Sequence, residues 1–200
     1  MTVHFIGAGP GAADLLTLRA VRLLQESPIC LYAGTYIDDE VLSHCGPETE
    51  LIDTAYLNLD AITATLVAAH DAGHDVARLC SGDPSIYSAI AEQTRRLDAA
   101  GVPWDLTPGV PAYAATAALI GRELTVPEVA QSVVLTRAQK DSTKMPPGET
   151  LAAFAATNAT LVLHLAIRHT RRLADELSAP YAASCPVAVG SQVTQPEELI

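Results

Sequence analysis

Three glycine-bearing turns hold the residues best suited to chemistry. The first, Gly7-Ala8-Gly9-Pro10-Gly11-Ala12, follows the apolar run Val3–Ile6 and precedes leucines at helical spacing. Glycines in such a turn permit positive φ and let the backbone approach a ligand closely. The pattern nearly matches the dinucleotide fingerprint G-x-G-x-x-[GA], so a nicotinamide or flavin oxidoreductase is one reading. Two features weigh against it. Pro10 removes an N–H where that fingerprint cradles a pyrophosphate. The second β-type run leads into Ala33-Gly34-Thr35, not into an acidic residue for an adenine ribose. A purely structural tight turn is the competing reading.

The second turn, Ser81-Gly82-Asp83-Pro84, also closes a β-type run. A carboxylate beside glycine backbone could hold a cationic or hydroxyl-bearing ligand there, or Asp83 could serve the N-cap region of the next helix. Ser81 is not set up as a nucleophile, because Leu79 stands where G-x-S-x-G requires glycine. His70 and His74 have the spacing of zinc ligands, but Gly73 should end their helix between them and no third ligand is near, so no metal site is expected. His164, in or at the end of an apolar run, reads as a satisfied core or pocket residue. Cysteines at 30, 45, 80 and 185 form no C-x-x-C pair and read as reduced, structural residues.

The elements that position these turns alternate. Val3–Ile6, Ile29–Tyr32, Glu50–Asp53, Val76–Cys80 and Trp104–Thr107 read as strands. Between them lie helical patterns over Leu15–Leu24, from a cap at Asp60 to Gly73, and from about Ile86 to Ala100. This rhythm implies a parallel sheet covered on both faces, with ligands bound outside the strands' carboxyl ends. The third turn, Pro108-Gly109-Val110-Pro111, breaks the pattern and opens an alanine-rich helix over Ala112–Ile120. A second unit follows, with strands at Gln131–Thr136, Thr160–His164 and Pro186–Val189 and helices at Glu149–Ala156 and Ile167–Leu177. The expected division is 1–110, a linker helix at 111–121, and 122–200.

Composition limits the partners. No stretch reaches the roughly 18 apolar residues of a membrane span, and Met1–Ile6 lacks a basic leader. A cytoplasmic location and no membrane partner are therefore expected. The net charge of −11 disfavours nucleic acid. Residues 1–121 carry 5 Lys/Arg against 15 Asp/Glu, whereas residues 122–172 carry 7 against 4. A solvated face is the plain reading of that basic segment; a local anion site is the sharper one.

Taken together, Val3–Gly11 leading to Leu15-Leu16-Thr17, Leu79–Pro84, and Pro108–Ala115 resemble the tetrapyrrole (corrin/porphyrin) methyltransferase family in order and spacing. The resemblance implies two α/β domains, an N-terminal parallel sheet and a C-terminal mixed sheet. It also implies a homodimer, with S-adenosylmethionine bound in a cleft between the domains. Tyr32-Ala33-Gly34-Thr35 is similar to a corrin-methylating branch, whereas enzymes acting on uroporphyrinogen usually have aspartate where this chain has Ala33. By the same resemblance the cofactor meets Pro10, Ser81, Gly82, Asp83, Ile86, Tyr87, Pro111, Ala112, Leu165, Ala166 and the backbone near Val193.

An anionic tetrapyrrole would dock on the basic segment through Arg137, Lys140, Lys144 and Arg168, with Tyr32, Tyr36 or Tyr113 orienting it. No general base is nominated, because methyl transfer relies mainly on positioning. The family usually continues past Glu197–Ile200, so this chain is expected to be a shortened version, with a sheet edge or cofactor wall missing. A non-catalytic binding domain is a further reading that this shortening raises.

Overall fold

A computed structural model describes residues 1–138, 144–182 and 184–200. The chain packs as two compact units, Met1–Ala115 with Gln192–Glu198, and Thr116–Ser191 with Leu199–Ile200. Residues 192–198 thus group with the first unit, whereas the sequence alone assigns them to the domain after the 111–121 linker.

The first unit is built on five parallel strands: β1 (Val3–Gly7), β2 (Ile29–Tyr32), β3 (Glu50–Asp53), β4 (Val76–Cys80) and β5 (Trp104–Thr107). Their order is β3-β2-β4-β1-β5. Helices α1 (Leu18–Glu26) and α2 (Asp39–Leu42) cover one face, where Ala20, Leu23, Leu24, Val41 and Leu42 pack on Ile6, Cys30, Ala77 and Leu79. Helices α3 (Leu59–Asp71) and α4 (Ile90–Ala99) cover the other, where Ile62, Leu66, Ala69 and Leu97 pack on Val3, Phe5, Leu31 and Cys80. Phe5 and Trp104 meet edge to face there, with ring centroids 6.5 Å apart. β1 and β4 are neighbours whose following helices lie on opposite faces. Such a switch point opens a crevice beyond the strand ends, and the first two turns fall in it.

Local chemistry explains where the helices start. Thr17 caps α1, accepting from the Ala20 N–H at 3.1 Å. Asn58, not Asp60, caps α3, accepting from the Ala61 N–H at 2.9 Å. Asp60 sits one step inside and pairs with Arg96 of α4. Arg96 also holds Glu92 at 2.9 Å, and hydrogen bonds from Arg95 and Arg96 hold the Glu92 carboxyl down at about 2. Gly73, at φ +83°, ends α3 as expected.

Helix α4 begins at Ile90, not near Ile86. Residues 83–89 form a loop instead, with Tyr87 and Ala89 at φ 55° and 52°. That backbone is strained for residues with a Cβ, and helical periodicity does not reveal it.

Helix α5 (Ala112–Leu119) leads into the second unit. Of the mixed sheet expected there, the described residues contribute β6 (Val133–Arg137) and β7 (Thr160–His164), paired in parallel with Arg137 opposite His164. Helix α6 (Leu151–Ala155) connects them, capped by Thr150, and α7 (Thr170–Leu177) follows a 3-10 turn at Ile167–His169. The strand expected at 186–189 is absent, the described backbone there being irregular. Pro186 has no N–H to donate to a ladder and Ala188 has low strand preference, which weakens so short a run. Among the described residues no helix is long and apolar enough to cross a membrane.

Candidate functional site

Strand register brings the three turns of the first unit together. Gly7 is the last residue of β1 and lies opposite Cys80; Ile6 lies opposite Thr107. Two residues beyond those partners, Gly82 and Gly109 converge on Gly7. A Cβ on Gly7 would lie 2.6 Å from the Gly109 Cα and 2.8 Å from the Gly82 carbonyl oxygen. The first two turns are laced by backbone: the Ala8 N–H donates to the Cys80 carbonyl at 2.8 Å, and Gly9 and Gly82 exchange bonds at 3.2 and 2.7 Å. Gly9 and Gly82 reach this geometry at φ +75° and +67°. Pro111 lies next to Gly82, its Cα 3.7 Å from where a Gly82 Cβ would stand.

Asp83 ties two of the turns. One oxygen accepts the Gly109 N–H at 2.9 Å, and the other accepts the Ser85 N–H at 2.8 Å and the Ser85 hydroxyl. Partial burial pushes this carboxyl up, but the Ser85 and Gly109 donors outweigh it and its pKa is lowered overall. Asp83 is thus not the cap of α4, whose N-cap residue is Ala89. Ser81 is exposed beside it, Ile86 is half-buried, and Tyr87 is exposed on the strained loop.

The segment 192–198 borders the first turn. Thr194 accepts the Ala12 N–H through its hydroxyl at 2.9 Å, and Gln195 donates to the Pro10 carbonyl at 3.3 Å. The Thr194 N–H donates to Glu198 at 2.6 Å. Val193 is buried, so its side chain packs inward, between Gln192 and Thr194 at φ 49° and 68°. A recess of about 320 Å³ lies along Gly11 and Ala12, closed by Thr194, Gln195 and Pro196 on one rim and by Asp38 and Glu40 on another. Sequence reasoning did not single out Asp38, Glu40, Thr194 or Gln195. Asp38 carried one usable signal, an acidic residue three places before the apolar pair Val41-Leu42, and it caps α2 by accepting the Glu40 N–H at 2.9 Å.

Near the end of β2, Tyr32 is half-buried and Tyr36 is exposed. Desolvation first, and then the charges of Asp53 and Asp39, raise the Tyr32 phenol's pKa. Asp53, ending β3, accepts the Gly34 N–H at 2.9 Å and the Ala55 N–H at 2.8 Å, which lowers its pKa and fixes the turn between the two tyrosines. Tyr113 is half-buried and Ala112 exposed in the first turn of α5.

The remaining expected residues belong to the second unit. Leu165, at φ 55° and exposed, follows β7, with Ala166 next in the chain. Arg137 ends β6, half-buried; Lys144 and Arg168 are exposed. Lys140 lies outside the described residues. Burial lowers the pKa of His164, which favours its neutral form. Among the described residues no group of three His, Cys, Asp or Glu could hold a metal ion. His70 instead donates from Nδ1 to the Met1 carbonyl at 2.7 Å.

This chemistry suits a cation better than a phosphate. Pro10 supplies no N–H, and the recess beside Gly11 and Ala12 carries Asp38 and Glu40 on its rim.

Residues 2–200 match the family model of Tetrapyrrole (Corrin/Porphyrin) Methylases. The chain is 54% identical over 200 residues to a precorrin-4 C(11)-methyltransferase of Rhodococcus erythropolis, covering 100% of this chain and 80% of that one. The structure of a cobalt precorrin-4 methyltransferase superposes with a TM-score of 0.94 at 34% identity, over 99% of this chain and 83% of the other. A uroporphyrin-III C-methyltransferase from Thermus thermophilus, complexed with S-adenosyl homocysteine, matches with a TM-score of 0.78 at 27% identity, over 100% of this chain and 81% of the other.

Proposed function

From the premise that the chain belongs to the tetrapyrrole (corrin/porphyrin) methylase family, we propose that it methylates precorrin-4 at C-11 in cobalamin biosynthesis, using S-adenosylmethionine. The observation that carries this reading is the 54% identity, spread over the whole chain, to an enzyme named for that reaction. The fall to 34% against the cobalt precorrin-4 enzyme favours the cobalt-free ring as substrate.

S-adenosylmethionine supplies, when bound, an electrophilic methyl on a sulfonium. The chain's part is to bind, orient and exclude water. Gly7 and Gly109 pack against each other and against the Gly82 carbonyl with no room for a Cβ, and this close packing fixes three main-chain turns side by side at the strand ends, where a ligand is held through backbone. Pro10, Ser81, Gly82, Ile86, Tyr87, Pro111 and Ala112 are assigned to the donor, as is the Val193 backbone; Leu165 and Ala166 of the second unit are assigned to it by the family resemblance. Asp83 shapes that site, since both its oxygens already accept protein donors. Tyr32, Tyr36 and Tyr113 orient the macrocycle, and Arg137, Lys144 and Arg168 meet its carboxylates, as would Lys140. Orientation of this kind is worth on the order of 7–11 kcal/mol, and no residue is assigned as a base. A cytoplasmic homodimer is the working form this reading carries.

The test is product analysis. Incubation with precorrin-4 and carbon-13-methyl-labelled S-adenosylmethionine is expected to put the label on C-11, read by NMR, with no label on uroporphyrinogen. A methyl at another position would refute the assignment. NADH binding without S-adenosylhomocysteine binding, read by calorimetry, would point instead to an oxidoreductase. Binding of S-adenosylhomocysteine with no turnover on any tetrapyrrole would leave a binding domain.

A further inference from the structure

Arg78 stands in the middle of the parallel sheet, opposite Phe5 of β1 and Leu31 of β2, and is only 9% exposed. It projects to the same face as its neighbours Val76 and Cys80, toward α3 and α4. Removing a guanidinium from water is costly unless acceptors replace the solvent. The acceptors it has found are neutral. Its Nε donates to the Gln93 side-chain carbonyl at 3.4 Å, and Nη1 donates to the Thr54 hydroxyl at 3.2 Å.

Each acceptor passes the contact on. The Thr54 hydroxyl donates to the Tyr32 carbonyl at 2.9 Å, and the Thr54 N–H reaches the same carbonyl at 2.7 Å. The Gln93 amide donates to the Ala89 carbonyl at 3.3 Å. Tyr32 opens the turn that runs to Tyr36. Ala89 closes the strained loop that begins at Asp83. One chain of hydrogen bonds therefore runs from the end of β2 to the end of the loop after β4, and the guanidinium is its middle link.

We propose that Arg78 is a positioning residue for methyl transfer, holding the turn after β2 and the loop after β4 in a fixed relation so that tetrapyrrole and methyl donor are presented together. The inference rests on the assignment of those two segments made above. Stability alone does not account for the charge. Even a buried ion pair is often replaced by apolar side chains of similar volume at no loss of stability, and this guanidinium has only neutral acceptors to offset its desolvation. What an apolar residue cannot do is bond two diverging acceptors at once, and a lysine ammonium cannot reproduce the planar fork.

The test separates the two arms. Gln93→Leu is expected to weaken S-adenosylhomocysteine binding, read by calorimetry, roughly tenfold while moving the KM for precorrin-4 less than about twofold. Thr54→Val is expected to do the reverse. Arg78→Met should shift both, and Arg78→Lys should fail to restore both. Arg78 lies in the core, and where its variants do not fold the Thr54 and Gln93 variants decide the matter without them. Equal shifts in both parameters from each single variant, or a lower Tm with neither parameter moved, would make the network merely structural and overturn the inference. A wild-type chain that is active while its variants fail to split refutes this inference alone. A wild-type chain that neither binds S-adenosylhomocysteine nor methylates refutes the functional reading as well.

Discussion

Gly109→Ala is expected to destabilise the protein by about 3 kcal/mol and to abolish measurable S-adenosylhomocysteine binding in the fraction that folds. The added Cβ would stand 2.8 Å from the Gly7 Cα and 2.9 Å from its carbonyl carbon, with the Gly82 carbonyl oxygen nearer still. All three are backbone atoms at the ends of hydrogen-bonded strands, so none can rotate aside as a side chain would. The first turn or the third must move, and moving the third stretches the bond from the Gly109 N–H to Asp83. For a chain of this size the cost corresponds to a fall in Tm of roughly 6–12 °C. Gly7→Ala should behave alike, and the double variant should cost less than the sum because both insert into one contact. Gly148→Ala is the control: nothing lies within 4 Å of its Cβ position, and its Tm should match the wild type. A Gly109→Ala protein that melts within a degree or two of the wild type would show that the three backbones do not meet.

Those backbones also mark how far the sequence could be read. Each glycine was conspicuous in its own turn, and strand periodicity located the five strands of the first sheet. Their convergence was not visible, because it depends on β1 lying between β4 and β5. Gly7 and Gly109 are a hundred residues apart, and no local pattern encodes that neighbour order. Helix starts failed for a local reason. Asn58 and Asp60 are both good caps, and only the backbone turn at Asn58 decides between them. The helix read from Ile86 starts late because Tyr87 and Ala89 adopt left-handed φ, which tertiary bonds impose against their own preference. Arg78 was hidden in the run Val76–Cys80, where one charge in a strand reads as a surface position. The contacts of Thr194 and Gln195 with the first turn span more than 180 residues, and the resemblance pointed only to the backbone near Val193.

Asp83→Asn should lower stability by about 2 kcal/mol at neutral pH, and the deficit should disappear in acid. The substitution keeps size and removes charge. Whichever way the amide is turned, its NH₂ faces a donor, the Gly109 N–H on one side or the Ser85 N–H on the other. One bond is lost and a repulsion replaces it. The pH dependence follows from the lowered pKa of the folded-state carboxyl. A group so lowered contributes its full stability above its unfolded pKa, near 4 for aspartate, and loses it as pH falls through the folded value. Wild type and Asp83→Asn should therefore differ most at pH 7, and their melting temperatures should draw together below about pH 4. Melting curves of both proteins from pH 7 to pH 3 test this. A gap that stays constant over that range would mean that the carboxylate charge plays no part in joining the second turn to the third. Donor affinity should fall with the stability, because the turns that Asp83 joins are the ones assigned to the methyl donor, whose nucleoside and amino-acid parts S-adenosylhomocysteine retains. Binding of S-adenosylhomocysteine measured well below both melting temperatures separates the two effects. Unchanged affinity there would leave Asp83 as a brace for the fold alone.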